Sequence, residues 1–297
     1  LAKKNEYFLK HILFKLDHCG DSNQELDLND QILKLNQSEI NYGYEILKKN
    51  IKKKYKGIVL YCVRNNYYYN INHPNTDWDH NNFRDYNFED FIPSIDYLMA
   101  KGFLVIRFGR LNEKEIKINN ELFVDYSFCK WKSDFMDFFL GYACSFCIST
   151  GTGSDEFPKL FRKRMGIIIN PISHVFDRKN WTYIFGNFVN IKLNRSLNLR
   201  ELLDNKLYEI EELYTLDKNL LLKKNNSNDI LGLVQEVTQK HLNEFDYKKV
   251  NFNLQRSFWE NHSKISRITY INKKEFRKDE NRICNSFLEN NKDVLGI

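Results

Sequence analysis

Long apolar runs and the two best-known glycine-rich phosphate signatures are missing from this sequence. No apolar stretch approaches the roughly 20 residues that a membrane-spanning helix needs. Neither GxxxxGK followed by Ser or Thr, nor a GxGxxG after the first strand, is present. These absences argue against a helical membrane protein, and they remove ordinary kinases, ATPases and dehydrogenases from the leading position.

The six cysteines lack the regular spacing of a disulfide framework, so a reducing, cytoplasmic setting fits them best. Cys144 and Cys147 have CxxC spacing but no partner pair. We interpret them as buried thiols, and zinc or redox chemistry is the alternative.

What the sequence does contain is an alternation of strand-like and helix-like segments. The apolar runs typical of buried strands are IVLYCV, FLVIRFG, CSFCIST and MGIIIN, with EIKINNELFVDYS as a further candidate. The helical segments are LNQSEINYGYEILKKNI, EDFIPSIDYLMAKG, SDFMDFFLGYA, DEFPKLFRKR and SNDILGLVQEVTQKHL, and we expect Ser38, Ser133 and Ser227 to be N-caps. This alternation predicts a parallel sheet of βαβ units in the doubly wound α/β class, with a compact unit at about residues 57–185.

Three loops follow the predicted strands at the edge where open α/β sheets bind ligands. Arg64 follows the first strand, and Arg107, Gly109 and Arg110 end the second. The loop after the next helix and strand consists of Thr150, Gly151, Thr152, Gly153 and Ser154. Glycines let backbone amides approach phosphate oxygens, hydroxyls and a helix start near Asp155 add to this, and arginine forks match phosphate geometry. We therefore expect a diphosphate site, and a plain turn between strand and helix is the alternative.

Two other groups of side chains have open interpretations. Asp137, on the helix before that loop, is either a favourable acid in a first helical turn or a contact to the sugar or base of a nucleotide. The long polar loop after the first strand contains residues that could bind a metal or supply a general base, but polar loops often collect such residues by chance. These residues are His73, Asp77, Asp79, His80, Arg84 and Asp85.

A cluster of lysines precedes the first strand. Its members are Lys48, Lys49, Lys52, Lys53, Lys54 and Lys56. One interpretation is a solvated helix face, and the other is a peripheral contact with anionic lipid head groups. The net charge of +6 is too small to argue for a nucleic-acid partner.

The quoted segments together resemble bacterial glycosyltransferases of GT-B type linked to surface carbohydrate, which are distantly similar to protein O-fucosyltransferases and α1,6-fucosyltransferases. The resemblance covers most of the chain, including QRSFWE and ICNSFLENN near its end. It implies that Arg64 grips the diphosphate of a nucleotide-sugar donor and that residues 150–154 bind the same diphosphate. It also assigns Arg84, Arg107, Gly109 and Asp137 to the donor site. Cys62 stands where the family motif has His, Asn65 where Asp is usual, and Arg110 where an acid is common.

The resemblance implies a Rossmann-like donor-binding domain at residues 57–297 and a helical remnant of an acceptor domain at residues 1–56. With so short an acceptor part, the chain is interpreted as a fragment of an enzyme, a shortened variant or a catalytically idle relative. The expected activity is metal-independent transfer of a sugar from a nucleotide sugar to a hydroxyl of a glycan, lipid-linked or protein acceptor. No cofactor and no nucleic acid are expected. The expected location is cytoplasmic, and the lysine cluster leaves open a peripheral contact with the inner face of the membrane. The rival interpretation is a non-catalytic nucleotide-sugar-binding module that acts in a complex.

Overall fold

A computed structural model describes residues 33–75, 79–170, 180–207, 217–262 and 282–295. The apolar segment EYFLKHILFKL near the N-terminus, with its predicted helical pattern, lies outside these described residues.

A seven-stranded parallel sheet forms the centre of the described protein. Its strands are β1 Ile58–Cys62, β2 Leu104–Arg107, β3 Phe123–Asp125, β4 Phe146–Ser149, β5 Arg164–Ile169, β6 Trp181–Phe185 and the two-residue β10 Arg282–Ile283. The spatial order is β3-β2-β1-β4-β5-β6-β10, and every neighbouring pair is parallel. This is the strand order of doubly wound nucleotide-binding folds. The order in which successive strands are added to the sheet reverses between β1 and β4, while all strands stay parallel. The predicted α/β class, in its Rossmann-like form, is therefore confirmed.

Helices and a small antiparallel sheet surround the strands. The helices are α1 Gln37–Asn50, α2 Tyr67–Asn72, α3 Ile92–Ala100, α4 Asp134–Ala143, α5 Glu156–Leu160, α6 Leu199–Asp204, α7 Ser227–His241, α8 Phe252–His262, α9 Asn285–Asn290 and α10 Lys292–Leu295. The small sheet consists of β7 Asn187–Asn190, β8 Arg195–Ser196 and β9 Leu220–Lys223. Among the described helices, none is long and apolar enough to cross a membrane.

The central strands are continuous apolar runs because both of their faces are covered. All five residues of β1 are buried, as are the four of β2 and the four of β4. Helix α7 packs against β4, β5, β6 and α3, while α4 packs against α1, α5 and β1. Since α7 covers the sheet and β10 extends it, the compact unit continues well past the predicted limit at residue 185.

Two of the three predicted helix caps are wrong by one or two residues. Asn36 caps α1, where its side chain accepts from the Glu39 amide and Glu39 accepts from the Asn36 amide. Asn226 makes the same reciprocal arrangement at α7. Ser38 and Ser227 lie two residues and one residue after these caps. They are not N-caps themselves because an asparagine already occupies the capping position in each case. Ser133 caps α4 as predicted.

Of the segment EIKINNELFVDYS, only β3 (Phe123–Asp125) forms a strand. The segment after residue 152 begins with a 3₁₀ turn at Gly153–Asp155, and the α-helix that follows is only five residues long. Because this α-helix is so short, its dipole adds little to the edge of the sheet near β4.

Gly141 provides a test of how α4 is fixed against α5. A Cβ added at Gly141 would lie 2.7 Å from Phe157 Cβ and 2.8 Å from its backbone carbon, so the backbone would have to move. In an exposed helix the change to alanine would stabilise by up to about 1 kcal/mol. We expect Gly141→Ala to destabilise the protein by about 1–3 kcal/mol instead, measured by chemical unfolding.

The matched control for this prediction is Gly153→Ala. A Cβ at Gly153 meets no atom within 4 Å, and its φ is not positive. We expect this variant to unfold within about 0.5 kcal/mol of the wild type. Equal unfolding free energies for Gly141→Ala and the wild type would contradict the prediction, because they would show that α4 and α5 can move apart at little cost.

Candidate functional site

A cavity of about 320 Å³ opens at the carboxyl edge of the sheet, where the strand order reverses between β1 and β4. Its walls are residues 63–65 and 68–69 after β1, residues 108–112 after β2, Asp137 of α4, and residues 152–154 and 157 after β4. Open α/β sheets bind ligands at this position, and the volume lies within the usual range for ligand pockets. The structure thus brings six of the ten predicted site residues together: Arg64, Gly109, Asp137, Thr152, Gly153 and Ser154.

Arg64 is the buried cation of this cavity, with an exposed fraction of 7%. Its Nε donates to Asp85 Oδ1 at 3.1 Å, and its guanidinium carbon lies 5.0 Å from the centre of the Tyr69 ring. Its Nη2 is buried without a hydrogen-bond partner among the described residues. A buried charged donor left in this state costs free energy, so the site has capacity for one more acceptor.

The position of Arg64 is fixed by the loop after β4. The Arg64 amide donates to Thr150 Oγ1 at 2.8 Å, and the Thr150 amide donates to the Cys62 carbonyl at 3.1 Å. Thr150 is therefore buried beneath the cavity and connects β1 to β4 instead of facing a ligand. Thr150 and Gly151 are not part of the cavity wall.

Hydrogen bonds within the loop use much of its donor capacity. The Gly151 amide donates to Ser149 Oγ, the Thr152 amide to Asp155 Oδ2, and the Ser154 amide to Thr152 Oγ1, at 2.9, 3.2 and 3.2 Å. These three amides have partners within the loop and are therefore not free to donate to a phosphate. The loop residues that line the cavity are Thr152, Gly153 and Ser154, and the hydroxyls of Thr152 and Ser154 are hydrogen-bonded to each other at 2.9 Å.

Asp155 holds this loop closed, and the sequence interpretation did not identify it as more than a helix start. It is 1% exposed, it accepts from the Ser149 hydroxyl, and its Oδ1 lies 2.7 Å from Lys159 Nζ. Burial would lower the pKa of Lys159, but the charges of Asp155 and Glu156 raise it above its usual value. An acid of the chain itself therefore occupies the start of α5.

Arg84 supports the site from outside the cavity wall. Its Nη2 donates to the Gly151 carbonyl. Gly151 has a φ of 77°, a conformation that glycine adopts without the strain a side chain brings. Burial lowers the pKa of Arg84, and the nearby charge of Arg64 lowers it further. The charges of these two arginines are partly offset by Asp85 and Asp155 nearby.

Arg107 lies outside the larger cavity, although it ends the neighbouring strand. Its Nη1 donates to Asp125 Oδ2 at 2.8 Å and to the Lys114 carbonyl at 3.0 Å, and its guanidinium lies 4.6 Å from the centre of the Phe88 ring. It borders a smaller cavity of about 130 Å³ that also includes residues 63–65. Arg107 is thus engaged in joining β2 to β3.

Gly109 and Arg110 form part of the wall that follows β2. The Gly109 carbonyl accepts from Ser127 Oγ at 2.9 Å, and a Cβ at Gly109 would have only the Asn112 amide nitrogen, at 3.8 Å, within 4 Å. Arg110 is largely exposed and pairs with Asp134 at 2.7 Å. Because Gly109 has no side chain, the space next to its Cα stays open at this wall of the cavity.

Asp137 is the carboxylate that lines the cavity. It is 8% exposed and accepts from the Tyr126 hydroxyl at 2.8 Å. Burial raises the pKa of Asp137, while the hydrogen bond from Tyr126 and the charge of Arg110 oppose that rise. Its side chain faces the cavity instead of being an exposed acid of the first turn.

Aromatic residues of the cavity were missed by the sequence interpretation. Tyr68 and Tyr69 of α2 line it together with Phe108 and Phe157. The signal in the sequence is the YYY run directly after β1. These rings give the cavity an apolar wall beside its cationic one.

The remaining candidates from the sequence are metal ligands. Among the described residues, no group of three or more His, Cys, Asp or Glu is placed to hold a metal ion. Asp77 and the side chains of Asp79 and His80 lie outside the described part of the chain. Cys144 and Cys147 are buried free thiols, as interpreted, and Cys147 Sγ lies 3.6 Å from Cys62 Sγ.

Comparisons of the chain with protein families, with curated proteins and with solved structures find no match in any of the three. The site must therefore be interpreted from its own chemistry.

The raised pKa of Asp137 leads to a prediction about stability. A carboxyl whose pKa is higher in the folded state than in the unfolded state favours folding at low pH, and that contribution is lost as the pH rises through the folded pKa. The charged form of Asp137 is therefore unfavourable at neutral pH. We expect Asp137→Asn, which keeps an acceptor for Tyr126, to raise the melting temperature at pH 7, with the gain shrinking as the pH falls.

Asp134→Asn is the matched control, because Asp134 is an exposed acid in the same helical turn and pairs with Arg110 at the surface. It should give no gain at pH 7. A lower melting temperature for Asp137→Asn at every pH would contradict the assignment of Asp137 as a costly buried charge.

Proposed function

We propose that this chain is a nucleotide-sugar-dependent glycosyltransferase of GT-B type that passes a sugar to an acceptor hydroxyl. The observation that carries the proposal is the buried Arg64 guanidinium, which borders the cavity at the reversal of strand order and has one donor nitrogen without an acceptor among the described residues. A diphosphate would supply that acceptor once a small movement of the Arg64 side chain opens the buried Nη2 to the cavity.

The distribution of chemistry around the cavity supports a nucleoside diphosphate in particular. The hydroxyls of Thr152 and Ser154 lie in the same wall as Arg64 and can donate to phosphate oxygens. The rings of Tyr68 and Phe157 offer an apolar surface to a base, and Asp137 can accept from a sugar hydroxyl or a base nitrogen. The smaller cavity also borders Arg64 and offers space for the transferred sugar.

In this mechanism Arg64 stabilises the charge that builds on the departing nucleoside diphosphate. The cation is fixed in advance, since Asp85, Tyr69 and Thr150 hold it before any ligand arrives. Preorganised donors of this kind act most strongly on the transition state, and removing one typically lowers the rate by about 10²- to 10³-fold.

A second candidate, a non-catalytic nucleotide-sugar-binding module, is favoured by two specific observations. Cys62, at the position of the family's histidine, is fully buried and packs against Cys147. The thiol therefore cannot reach an acceptor hydroxyl. The Asn65 side chain is likewise occupied, since it accepts from the Tyr67 amide and donates to Asn112.

We expect nucleoside diphosphates to raise the melting temperature of the wild type, since a ligand at about 100 times its Kd stabilises by roughly 2.7 kcal/mol. Arg64→Ala and Arg64→Lys should each weaken binding of the same ligand by at least about tenfold, because both remove the planar fork. Calorimetric titration gives the affinity. Gly153→Ala should also weaken binding, because its methyl group enters the cavity without changing any charge.

Arg200→Ala is the control, because Arg200 is an exposed arginine whose ion pair with Asp204 is far along the chain from the cavity. Wild-type affinity in folded Arg64→Ala would contradict the role of Arg64. Binding without hydrolysis or transfer of any nucleotide sugar would support the binding module, and no binding at all would contradict both candidates. The acceptor class and the cytoplasmic location stay predictions from the sequence.

A further inference from the structure

The excess positive charge of the chain lies in one short segment. The six lysines of residues 48–56 equal the whole net charge of +6, because the remaining 39 basic residues match the 39 acidic ones. No acidic residue occurs between Glu45 and Asp77. The segment comprises the last turn of α1 and the extended residues that lead into β1, and all six lysines are exposed.

The fold adds further lysines to this segment. The Lys56 amide donates to the Gly102 carbonyl at 2.8 Å, which places the segment beside Lys101 at the entrance to β2. Lys163 precedes β5, whose first residue is level with Phe146 of β4, which in turn is level with Val59 of β1. The entrances of β1, β2 and β5 therefore share one edge of the sheet. We call these eight lysines, at positions 48, 49, 52, 53, 54, 56, 101 and 163, the amino-edge lysines.

Contacts around His241 independently support this arrangement. Its ring lies 6.1 Å from the ring of Phe103, next to Lys101 and Gly102, and 5.5 Å from the ring of Phe146. Burial lowers the pKa of His241, and the charges of Arg164 and Lys163 lower it further. Positive charge from β5 thus reaches the residues at the entrances of β2 and β4.

The amino-edge lysines are available to a partner. Among the described residues, none of them forms an ion pair, although Lys101 and Lys163 lie over the rings of Tyr97 and Tyr142. They lie at the amino ends of the strands, whereas the cavity lies at the carboxyl ends. A partner bound to this edge therefore leaves the cavity open.

The chemistry of the patch favours a lipid surface over a nucleic acid. All eight residues are lysines, which act as point charges, and the adjacent Arg162 and Arg164 are partly buried. The patch therefore presents mainly ammonium groups, and not the arginine forks that read bases and grip phosphates. Tyr42 and Tyr44 of α1, on the helix that leads into the cluster, are 60% and 46% exposed. Exposed tyrosines beside lysines suit the boundary between head groups and water.

We propose that the amino-edge lysines dock this protein on an anionic membrane surface. The test is co-sedimentation of the full chain with phosphatidylcholine vesicles that contain or lack phosphatidylglycerol. We expect binding to the anionic vesicles that falls as salt rises. The triple variant Lys52→Gln, Lys53→Gln and Lys54→Gln should bind about a hundredfold more weakly, because each lysine near such a surface contributes about a fivefold factor.

The matched control neutralises three exposed lysines elsewhere, Lys117, Lys130 and Lys218, each to Gln. It loses the same charge and should bind within about twofold of the wild type. Equal loss in both triple variants, equal binding to vesicles without phosphatidylglycerol, or no vesicle binding at all would overturn the proposal. Full displacement from vesicles by glycerol phosphate at the lipid-phosphate concentration would also overturn it, since it would indicate a site for a free phosphate. The proposal does not depend on the glycosyltransferase assignment, and both triple variants should keep wild-type affinity for nucleoside diphosphates.

Discussion

The burial of Arg64 is the constraint on which the carboxyl edge of the sheet depends. A guanidinium in this position costs free energy unless its charge is met, and here Asp85 meets it. The chain between β1 and α3 must therefore fold back over the strand end. Burial raises the pKa of Asp85, while the charge of Arg64 opposes that rise. Lys224 Nζ donates to the backbone carbonyls of Asn82 and Asp85, so the residues after β9 secure the returning segment.

The loop after β4 is also held by Arg64, through the backbone amide of that arginine, and by Arg84. Thr150 accepts from the Arg64 amide, and Arg84 donates to the Gly151 carbonyl, so the loop and the long segment hold each other. Asp155 completes the loop internally. As a result the two glycines of the loop have different roles. Gly151 makes the turn through its positive φ, whereas Gly153 leaves open space at the cavity wall.

Much of the fold was predictable from the sequence because buried parallel strands are continuous apolar runs and their crossovers have one hand. The convergence of Arg64, Asp137 and the loop after β4 followed from the same rule. The role of Arg107 did not, because its partner Asp125 is on β3, a three-residue strand within a polar segment. The pairing of Arg64 with Asp85 was equally hidden, since the two residues are 21 positions apart and no regular apolar spacing connects them.

An enzyme differs from a binding module here in having a group that accepts the proton of the acceptor hydroxyl. Sugar transfer to a hydroxyl needs a group within hydrogen-bond reach that accepts the hydroxyl proton. Cys62 is buried against Cys147, and Asp85 is committed to Arg64. Asp137 is the one acid in the described wall of the larger cavity, and Tyr126 orients it. Burial raises the pKa of Asp137, but the proposed function places Asp137 beside the nucleoside, and the transferred sugar in the smaller cavity. The acids that border the smaller cavity are Glu89 and Glu113. Under the proposed function, donor binding depends on Arg64, and turnover depends on whether an acceptor hydroxyl reaches one of these two acids.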